Sequence, residues 1–235
     1  MFKKLRRYLY NFTHPTIGEV WELHRVTDEV SADINQREYE ITPQRLEYLI
    51  LQYKHHNFEF ISVSELAERV ENNTVKHKFV VVTLDDGYQD NLTHALPIFE
   101  KYNVPFCIFI TKNYIQQGYL PYMMLNEQQV LQLSKHPLCT IGSHTLSHPQ
   151  LSKLSEQQQY LEIKDCIIWL ENLTHKKVDI FAFPSGSYNK TTLKILQQIG
   201  ITIAFAAWGG AIRDYKNLNI LTMPRVIITQ NSTIY

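Results

Sequence analysis

Two adjacent carboxylates at the end of an apolar run are the first residues of this sequence that could do chemistry. The run Phe79–Leu84 is uncharged and rich in β-branched residues, which is typical of a strand buried on both faces. Asp85, Asp86 and Gly87 follow it, and the backbone is expected to turn there. Because neighbouring aspartates repel, a bound cation would let one carboxylate ligate while the other acts as a base. An ordinary turn after a core strand is the alternative explanation.

A pair of histidines, His144 and His148, is the second candidate group. Imidazole is the commonest neutral metal ligand, and two of them four residues apart can converge on one ion. Pro149 disfavours helical backbone at His148, so the pair is predicted to lie in a loop after a short strand. The chain has ten histidines, so one such spacing is unsurprising, and hydrogen-bonded surface histidines are its usual explanation.

A third apolar run, residues 180–183, also ends in a turn, which contains Pro184 and Gly186. Such a turn can direct backbone N–H groups at an oxyanion. Strands of this kind carry catalytic groups at their C-terminal ends, because the sheet holds those ends rigid while the loops stay open.

The elements that must position these groups alternate between strands and helices. Strands are predicted near residues 17–23, 58–62, 79–84, 106–110, 139–141, 180–183, 202–206 and 225–229. Thr42, Ser62, Asn126 and Ser155 are predicted helix N-caps, and Gly200 is a predicted helix end. This alternation predicts an α/β fold, a distorted (β/α) barrel of seven or eight mostly parallel strands.

A predicted loop over residues 111–125 carries Tyr114, Tyr119, Tyr122 and Met123. These side chains could form the wall of a substrate cleft. Aromatic packing beneath a loop is an equally good explanation.

The composition fits a single core and shows no charge bias. The chain has 235 residues, with 23 Lys and Arg against 23 Asp and Glu, so no electrostatic preference for nucleic acid is expected. The three cysteines, Cys107, Cys139 and Cys166, form no CxxC pair. Free thiols in a reducing compartment are the simpler expectation.

Residues 1–16 stand apart as a predicted basic amphipathic segment. Four apolar residues fall at roughly helical spacing: Phe2, Leu5, Leu9 and Phe12. Four basic residues cluster on another part of the helical wheel: Lys3, Lys4, Arg6 and Arg7. We find no apolar run long enough for a signal peptide or a membrane span, so the expected location is the cytoplasm. Residues 1–14 could rest on the inner, anionic membrane surface as a peripheral contact, pack on the domain, or fray.

Together the three motifs resemble the polysaccharide deacetylase family, carbohydrate esterase family four. The family's signatures are Thr-Phe-Asp-Asp-Gly, His-Ser/Thr-x-x-His and Arg-x-Pro-x-Gly, which correspond in order to residues 83–87, 144–148 and 182–186. Residues 19–26 are similar to the Tyr-His-Arg-Val start of many bacterial cell-surface glycan deacetylases. The likeness runs from residue 17 to residue 229, so residues 17–235 are expected to form a deacetylase-like catalytic domain. Two departures stand out: Ala182 replaces the family's arginine, and the late Leu-x-His motif is not visible.

The resemblance implies a metal-dependent hydrolase that removes an N-acetyl group from a glycan or glycan precursor. Asp86, His144 and His148 would hold one divalent transition metal, and Asp85 would be the general base. The Ser185 N–H occupies the family's position for the oxyanion donor. Two histidines and one carboxylate favour Zn²⁺ only weakly, since Fe²⁺, Co²⁺, Ni²⁺ and Mn²⁺ accept the same ligands.

The two departures raise the question of which residues replace the missing groups. His24 follows the first predicted strand, on the same rim as Asp85, and is the candidate general acid. The alternative is a rim histidine that hydrogen-bonds a loop carbonyl. Barrel closure would bring the first strand beside the last, so Arg225 or Arg25 could orient Asp85 in place of an arginine at Ala182. Trp208 and Tyr188 are candidate sugar-stacking residues, and core packing is the alternative for both.

Two other functions remain open at this point. An O-acetyl esterase acting on a carbohydrate would use the same site. A non-catalytic glycan-binding relic would explain the missing arginine and histidine, although the intact Asp85, Asp86, His144 and His148 oppose it. The expected partner is an acetylated sugar or glycan, and the sequence predicts no oligomeric state.

Overall fold

The computed structural model describes residues 16–72, 74, 78–119, 121–214 and 218–233, and its central feature is one eight-stranded sheet. Its strands are β1 (Gly18–Leu23), β4 (Glu59–Phe60), β5 (Phe79–Leu84), β6 (Phe106–Ile110), β7 (Cys139–Ser143), β8 (Ile180–Ala182), β9 (Ile203–Phe205) and β10 (Val226–Ile227). A separate two-stranded sheet joins β2 (Arg25–Val26) to β3 (Glu40–Ile41). Apart from Thr16, the amphipathic segment predicted over residues 1–16 lies outside the described residues.

The strand order is β10-β1-β5-β6-β7-β8-β9, and every ladder in the sheet is parallel. β4 pairs with the first residues of β5, and β6 pairs with its last residues. No ladder joins β9 to β10 in the described chain. Instead a single residue before β10, Met223, pairs with the end of β9: its N–H donates to Ala204 O (2.8 Å) and its O accepts from Ala206 N–H (2.9 Å). This curled sheet with helices around it confirms the predicted distorted (β/α) barrel.

Eight α-helices lie between the strands of the described chain. They are α1 (Ile34–Arg37), α2 (Pro43–His55), α3 (Val63–Glu71), α4 (Leu96–Tyr102), α5 (Lys112–Gln117), α6 (Glu127–Ser134), α7 (Glu156–Thr174) and α8 (Lys190–Ile199). A π-helical turn, Asn91–Ala95, precedes α4, where Pro97 has no N–H to donate to the preceding turn. No helix of the described chain is long and apolar enough to cross a membrane.

The four predicted N-caps all accept a backbone hydrogen bond: Thr42, Ser62, Asn126 and Ser155. The sequence Ser62…Glu65 has the spacing of a capping box, but only the Ser62 half forms, because the Glu65 carboxylate pairs with Arg69 instead. The loop predicted over residues 111–125 was wrong in part, because its first half forms α5. That helix buries only Ile115, so its apolar periodicity is too weak to be visible in the sequence.

Alternate strand residues pack into two cores, one inside the barrel and one under the helices. Val20, Phe79 and Phe109 belong to the inner cluster, whereas Trp21 packs against Tyr53 of α2 in the outer one. The three cysteines are buried and free. With both faces packed, the sheet holds the C-terminal ends of β1, β5, β7 and β8 in fixed register, and the candidate residues follow those ends.

Candidate active site

β5 delivers two carboxylates to the rim of the barrel. Asp85 N–H donates to Leu23 O (2.9 Å), so the ladder between β1 and β5 continues as far as the first carboxylate. Asp85 is 2% exposed and Asp86 is 6% exposed. The backbone of Asp86 has φ 76°, in the left-handed region that non-glycine residues rarely adopt, at a cost of about 1–3 kcal/mol. The chain therefore changes direction between the two carboxylates.

Asp86 lies beside both predicted histidine ligands. Its Oδ1 is 3.7 Å from His144 Nε2 and 3.5 Å from His148 Nε2, and one ligand atom from each of the three residues lies within 4.8 Å of the others. Asp86 Oδ1 is buried and has no hydrogen-bond partner among the described residues. A buried carboxylate oxygen without a partner, facing two imidazole nitrogens, fits a divalent transition metal.

The hydrogen bonding of His144 prepares it to ligate. Its Nδ1 donates to Ala182 O (2.8 Å), so Nδ1 carries the proton and Nε2 presents its lone pair to Asp86. Burial lowers the pKa of His144 to about 4, despite the opposing charge of Asp85, and the imidazole stays neutral. Thr145 Oγ1 accepts from His148 N–H (3.0 Å) and so stabilises a loop in which both residues have positive φ.

Arg225 contacts Asp85 with two parallel hydrogen bonds. Its two terminal nitrogens lie 2.7 Å from Asp85 Oδ1 and 2.7 Å from Oδ2, and its Nε donates to Ala206 O (2.9 Å). Burial alone would raise the pKa of Asp85, but the Arg225 guanidinium holds that pKa below its usual range. Of the two arginines considered from the sequence, Arg225 therefore pairs with Asp85, and Arg25 pairs with Glu40 and Asp90 instead.

Glu22 is a buried site residue that the sequence reasoning missed. Its Oε2 lies 3.3 Å from Arg225 Nε, and burial raises its pKa to about 8 although Arg225 opposes the shift. Glu22, His24 and Asp85 each place one ligand atom within 4.8 Å of the others. Arg225 already supplies positive charge to both carboxylates, which disfavours a second cation there. The available signal was a carboxylate inside the apolar strand β1, two positions before His24.

His24 reaches the same cavity from the end of β1. Its Nδ1 is buried and has no partner among the described residues, so the alternative of a bond from Nδ1 to a loop carbonyl is not observed. Burial lowers the pKa of His24, and the carboxylates of Asp85 and Asp86 oppose that shift. Its ring packs edge-on against Tyr39, with 4.8 Å between the centroids.

These residues share one cavity of about 370 Å³. All the predicted site residues except Tyr188 line it, namely His24, Asp85, Asp86, His144, His148, Ser185, Trp208 and Arg225. Trp208 is 63% exposed and packs on Gly186, where an added Cβ would come within 3.0 Å of its ring. Tyr188 is 37% exposed and packs on Phe183, which does line the cavity. Ser185 lies at the rim with φ 51°.

The remaining walls come from two short segments. Asn35, Gln36 and Tyr39 line the cavity from the chain between β2 and β3, and Tyr119 and Tyr122 line it from the segment after α5. Such a cavity, with convergent polar groups and aromatic walls, is the usual form of a small-molecule site.

Comparisons with known proteins agree with the motifs. Residues 72–204 match the sequence model of a family described as polysaccharide deacetylase. YxkH of Bacillus subtilis (strain 168) is 32% identical over 149 residues, which cover 63% of this chain and 52% of YxkH, so the chain spans about half of that relative's length. The poly-β-1,6-N-acetyl-D-glucosamine N-deacetylase of Staphylococcus epidermidis is 24% identical over 206 residues, covering 83% of this chain and 70% of that enzyme.

Among solved structures, the Streptococcus pyogenes deacetylase PplD in complex with acetate has the same fold. The TM-score is 0.80 at 22% identity, over 91% of this chain and 92% of PplD. The matched family model covers more than half of the chain. The match includes all three motifs, residues 83–87, 144–148 and 182–186. The chain therefore belongs to the polysaccharide deacetylase family.

Proposed function

We propose that this chain hydrolyses the acetyl amide of an N-acetylated glycan and releases acetate and a free amine. The observation that carries the proposal is the position of Asp86, His144 and His148 beside an ionised Asp85 in one cavity. A relative named as a poly-β-1,6-N-acetyl-D-glucosamine N-deacetylase supports the substrate class.

Asp86, His144 and His148 would hold one divalent transition metal, with Zn²⁺ as the first choice and Co²⁺, Ni²⁺, Fe²⁺ or Mn²⁺ as alternatives. When bound, such a metal lowers the pKa of water and polarises a carbonyl oxygen. The residues themselves prepare this site, because Ala182 O fixes the tautomer of His144 and Oδ1 of Asp86 has no hydrogen-bond partner among the described residues.

Asp85 is the proposed general base. Arg225 keeps it ionised and fixes both of its oxygens, and each oxygen retains a further lone pair for the proton of the attacking water. The Ser185 N–H is the proposed donor to the oxyanion that forms when the water oxygen adds to the acetyl carbon.

His24 is the proposed general acid. As the bond between the acetyl carbon and nitrogen breaks, the nitrogen must gain a proton to leave as an amine, and a protonated His24 would supply it. Asp85 then holds the proton taken from water, and exchange with solvent returns both side chains to their starting states. Trp208 and Tyr188 are the proposed surfaces for sugar stacking, and Tyr188 packs on Phe183 of the cavity wall.

The direct test is acetate release from a panel of N-acetylated and O-acetylated oligosaccharides, with and without a chelator. Release from the N-acetylated members that the chelator abolishes is the expected result. Release from O-acetylated members alone would instead make the chain an esterase. No release from any member, from protein loaded with each candidate metal, would favour the glycan-binding relic.

Metal content gives a second, independent test. Purified protein should carry close to one transition metal per chain, and His148→Ala should lose most of it. Equal metal content in the wild type and in a variant with alanine at Asp86, His144 and His148 would remove the proposed metal site.

A further inference from the structure

One wall of the cavity is built from a segment with little support of its own. It comprises β2, α1 and β3, and β2 and β3 pair through only two residue positions. The four-residue helix α1 buries none of its residues. A two-stranded sheet of this size is marginal in isolation, so contacts with the rest of the protein must hold the wall in place.

Val26 and Ile41 anchor this wall in the core, and Arg25 makes the polar and cation–π contacts that connect it to the chain after Asp86 and to Tyr122. Its Nη1 is 2.6 Å from Glu40 Oε1, and its Nε is 3.2 Å from Asp90 Oδ2. Its guanidinium carbon lies 4.6 Å from the centre of the Tyr122 ring, within the range of a cation–π contact. The other oxygen of Glu40, which is buried, accepts from Ser31 N–H (2.6 Å). The Arg25 side chain thus contacts three parts of the protein. They are β3 through Glu40, the chain after Asp86 through Asp90, and the segment after α5 through Tyr122.

The partners of Arg25 are themselves fixed to the active site. Asp90 Oδ1 accepts from Val26 N–H (3.2 Å), and the neighbouring Gln89 N–H donates to Met123 O (2.9 Å). Gly87 O accepts from Leu125 N–H (2.9 Å). The chain immediately after Asp85 and Asp86 therefore contacts both walls, and Arg25 lies between them in contact with Glu40 and Tyr122.

The wall presents groups suited to a sugar. Asn35 and Gln36 offer amide donors and acceptors, and Tyr39 offers a ring face and a hydroxyl, all lining the cavity that contains Asp85. Asn35 and Tyr39 are exposed, so they remain available to a ligand. None of these three belongs to the proposed catalytic set, so they are placed to bind a part of the substrate that does not react.

We propose that Asn35, Gln36 and Tyr39 form a binding site for the sugar unit adjoining the one that loses its acetyl group, and that Arg25 is the positioning residue that holds this site. The inference rests on the proposed function, because it assigns the neighbouring unit of the same glycan. Arg25 acts on binding rather than on the chemical step, since Arg225 already occupies both oxygens of Asp85.

The test compares Arg25→Gln and Arg25→Lys with wild type on N-acetylglucosamine, which has no adjoining unit, and on its tetramer. Arg25→Gln should raise KM for the tetramer about tenfold with kcat nearly unchanged, a loss of uniform binding. Arg25→Lys should lose nearly as much, because an ammonium cannot span Glu40 and Asp90 while stacking on Tyr122. Hydrolysis of 4-nitrophenyl acetate, which carries no second sugar, should not change.

Arg69→Gln is the matched control. Arg69 also pairs with two carboxylates, Glu59 and Glu65, but it does not line the cavity, and its replacement should leave all these constants as in wild type. Thermal denaturation monitors folding, and if Arg25→Gln does not fold, Arg25→Lys carries the same comparison.

Two results would overturn the inference. One is a ratio of tetramer to monomer KM that matches wild type in both Arg25 variants. The other is an equal fall in kcat on every substrate, including the aryl ester, which would place Arg25 in the chemical step. If wild type has no deacetylase activity, the proposed function fails separately. Calorimetric binding of the tetramer then decides, because equal affinity in wild type and Arg25→Gln removes the site and about tenfold weaker binding supports it.

Discussion

Replacing Arg225 with glutamine removes the positive charge between two buried carboxylates. Arg225 is 1% exposed, contacts both oxygens of Asp85, and lies 3.3 Å from Glu22. Glutamine keeps a polar head but carries no charge and is too short to make the same three contacts. Asp85 would then remain a buried carboxylate without the guanidinium that pairs with it.

Two quantities bound the expected loss in the free energy of unfolding: the usual cost of breaking a buried ion pair and the cost of protonating Asp85. Removing one member of a buried ion pair typically destabilises a protein by about 3–5 kcal/mol. The variant can escape part of that cost by protonating Asp85, which at pH 7 costs about 4 kcal/mol because an ordinary aspartate titrates about three pH units lower. Arg225→Gln should therefore lower the free energy of unfolding by about 3–5 kcal/mol at pH 7.

The loss should depend on pH with a definite sign. In wild type the pKa of Asp85 is lowered on folding, so its contribution is present above the ordinary aspartate pKa and is lost as pH falls through the lower folded value. In the variant, burial without Arg225 raises the pKa, so the protonated form favours the fold and stability is lost as pH rises. The difference between the two proteins should therefore shrink to about 1–2 kcal/mol near pH 4.5, where protonating Asp85 costs less than about 1 kcal/mol.

Urea denaturation of chelator-treated protein at pH 7 and pH 4.5, followed by circular dichroism, measures both quantities. Arg69→Gln is again the control, because Glu59 and Glu65 are well exposed and such a pair is worth less than about 1 kcal/mol. A loss below about 1 kcal/mol for Arg225→Gln at pH 7, or a loss equal at both pH values, would refute the electrostatic account of this pair.

Three further predictions concern the proposed chemistry and the N-terminal segment. Asp85→Asn should keep its metal but lose turnover, because an amide cannot accept the proton from water, and a near-normal rate of acetate release would make Asp85 structural. His24→Ala should cut turnover on an acetyl amide by about a hundredfold or more with metal content unchanged, while sparing an aryl acetate whose leaving group needs no proton. A small, uniform loss on both substrates would return His24 to a structural role. Deleting residues 1–14 should abolish salt-sensitive co-sedimentation with anionic vesicles and leave activity intact, and identical sedimentation of both proteins would exclude membrane binding by this segment.

Most of the barrel was predictable because its longer strands and helices are specified by local sequence signals. The apolar run before Asp85, the cap at Thr42 and the helix end at Gly200 all lie within a few residues of the feature that they specify. The helix α5 could not be predicted in the same way, because its only buried residue is Ile115 and tertiary contacts hold the rest.

The site residues that belong to short sequence motifs were predictable. The residues whose role depends on a contact with a residue far away in the chain were harder to predict. Asp86, His144 and His148 come together as their spacing and the barrel rim require. The choice between Arg225 and Arg25 could not be made from the sequence, since both lie near the junction of the first and last strands. Only the register of β10 against β1 brings the guanidinium of Arg225, 140 residues after Asp85, onto that carboxylate. Glu22 was missed for the same reason, because its partner Arg225 is remote in the chain.

The position of Arg225 also constrains how this sequence can evolve. The family's usual arginine would come from position 182, which here is a fully buried alanine at the end of β8. An arginine restored there would bring a second guanidinium to a rim whose Asp85 already has both oxygens occupied, and an unpaired buried cation costs several kcal/mol. The two positions therefore exclude each other. Ala182→Arg is therefore expected to destabilise the protein while Arg225 is present.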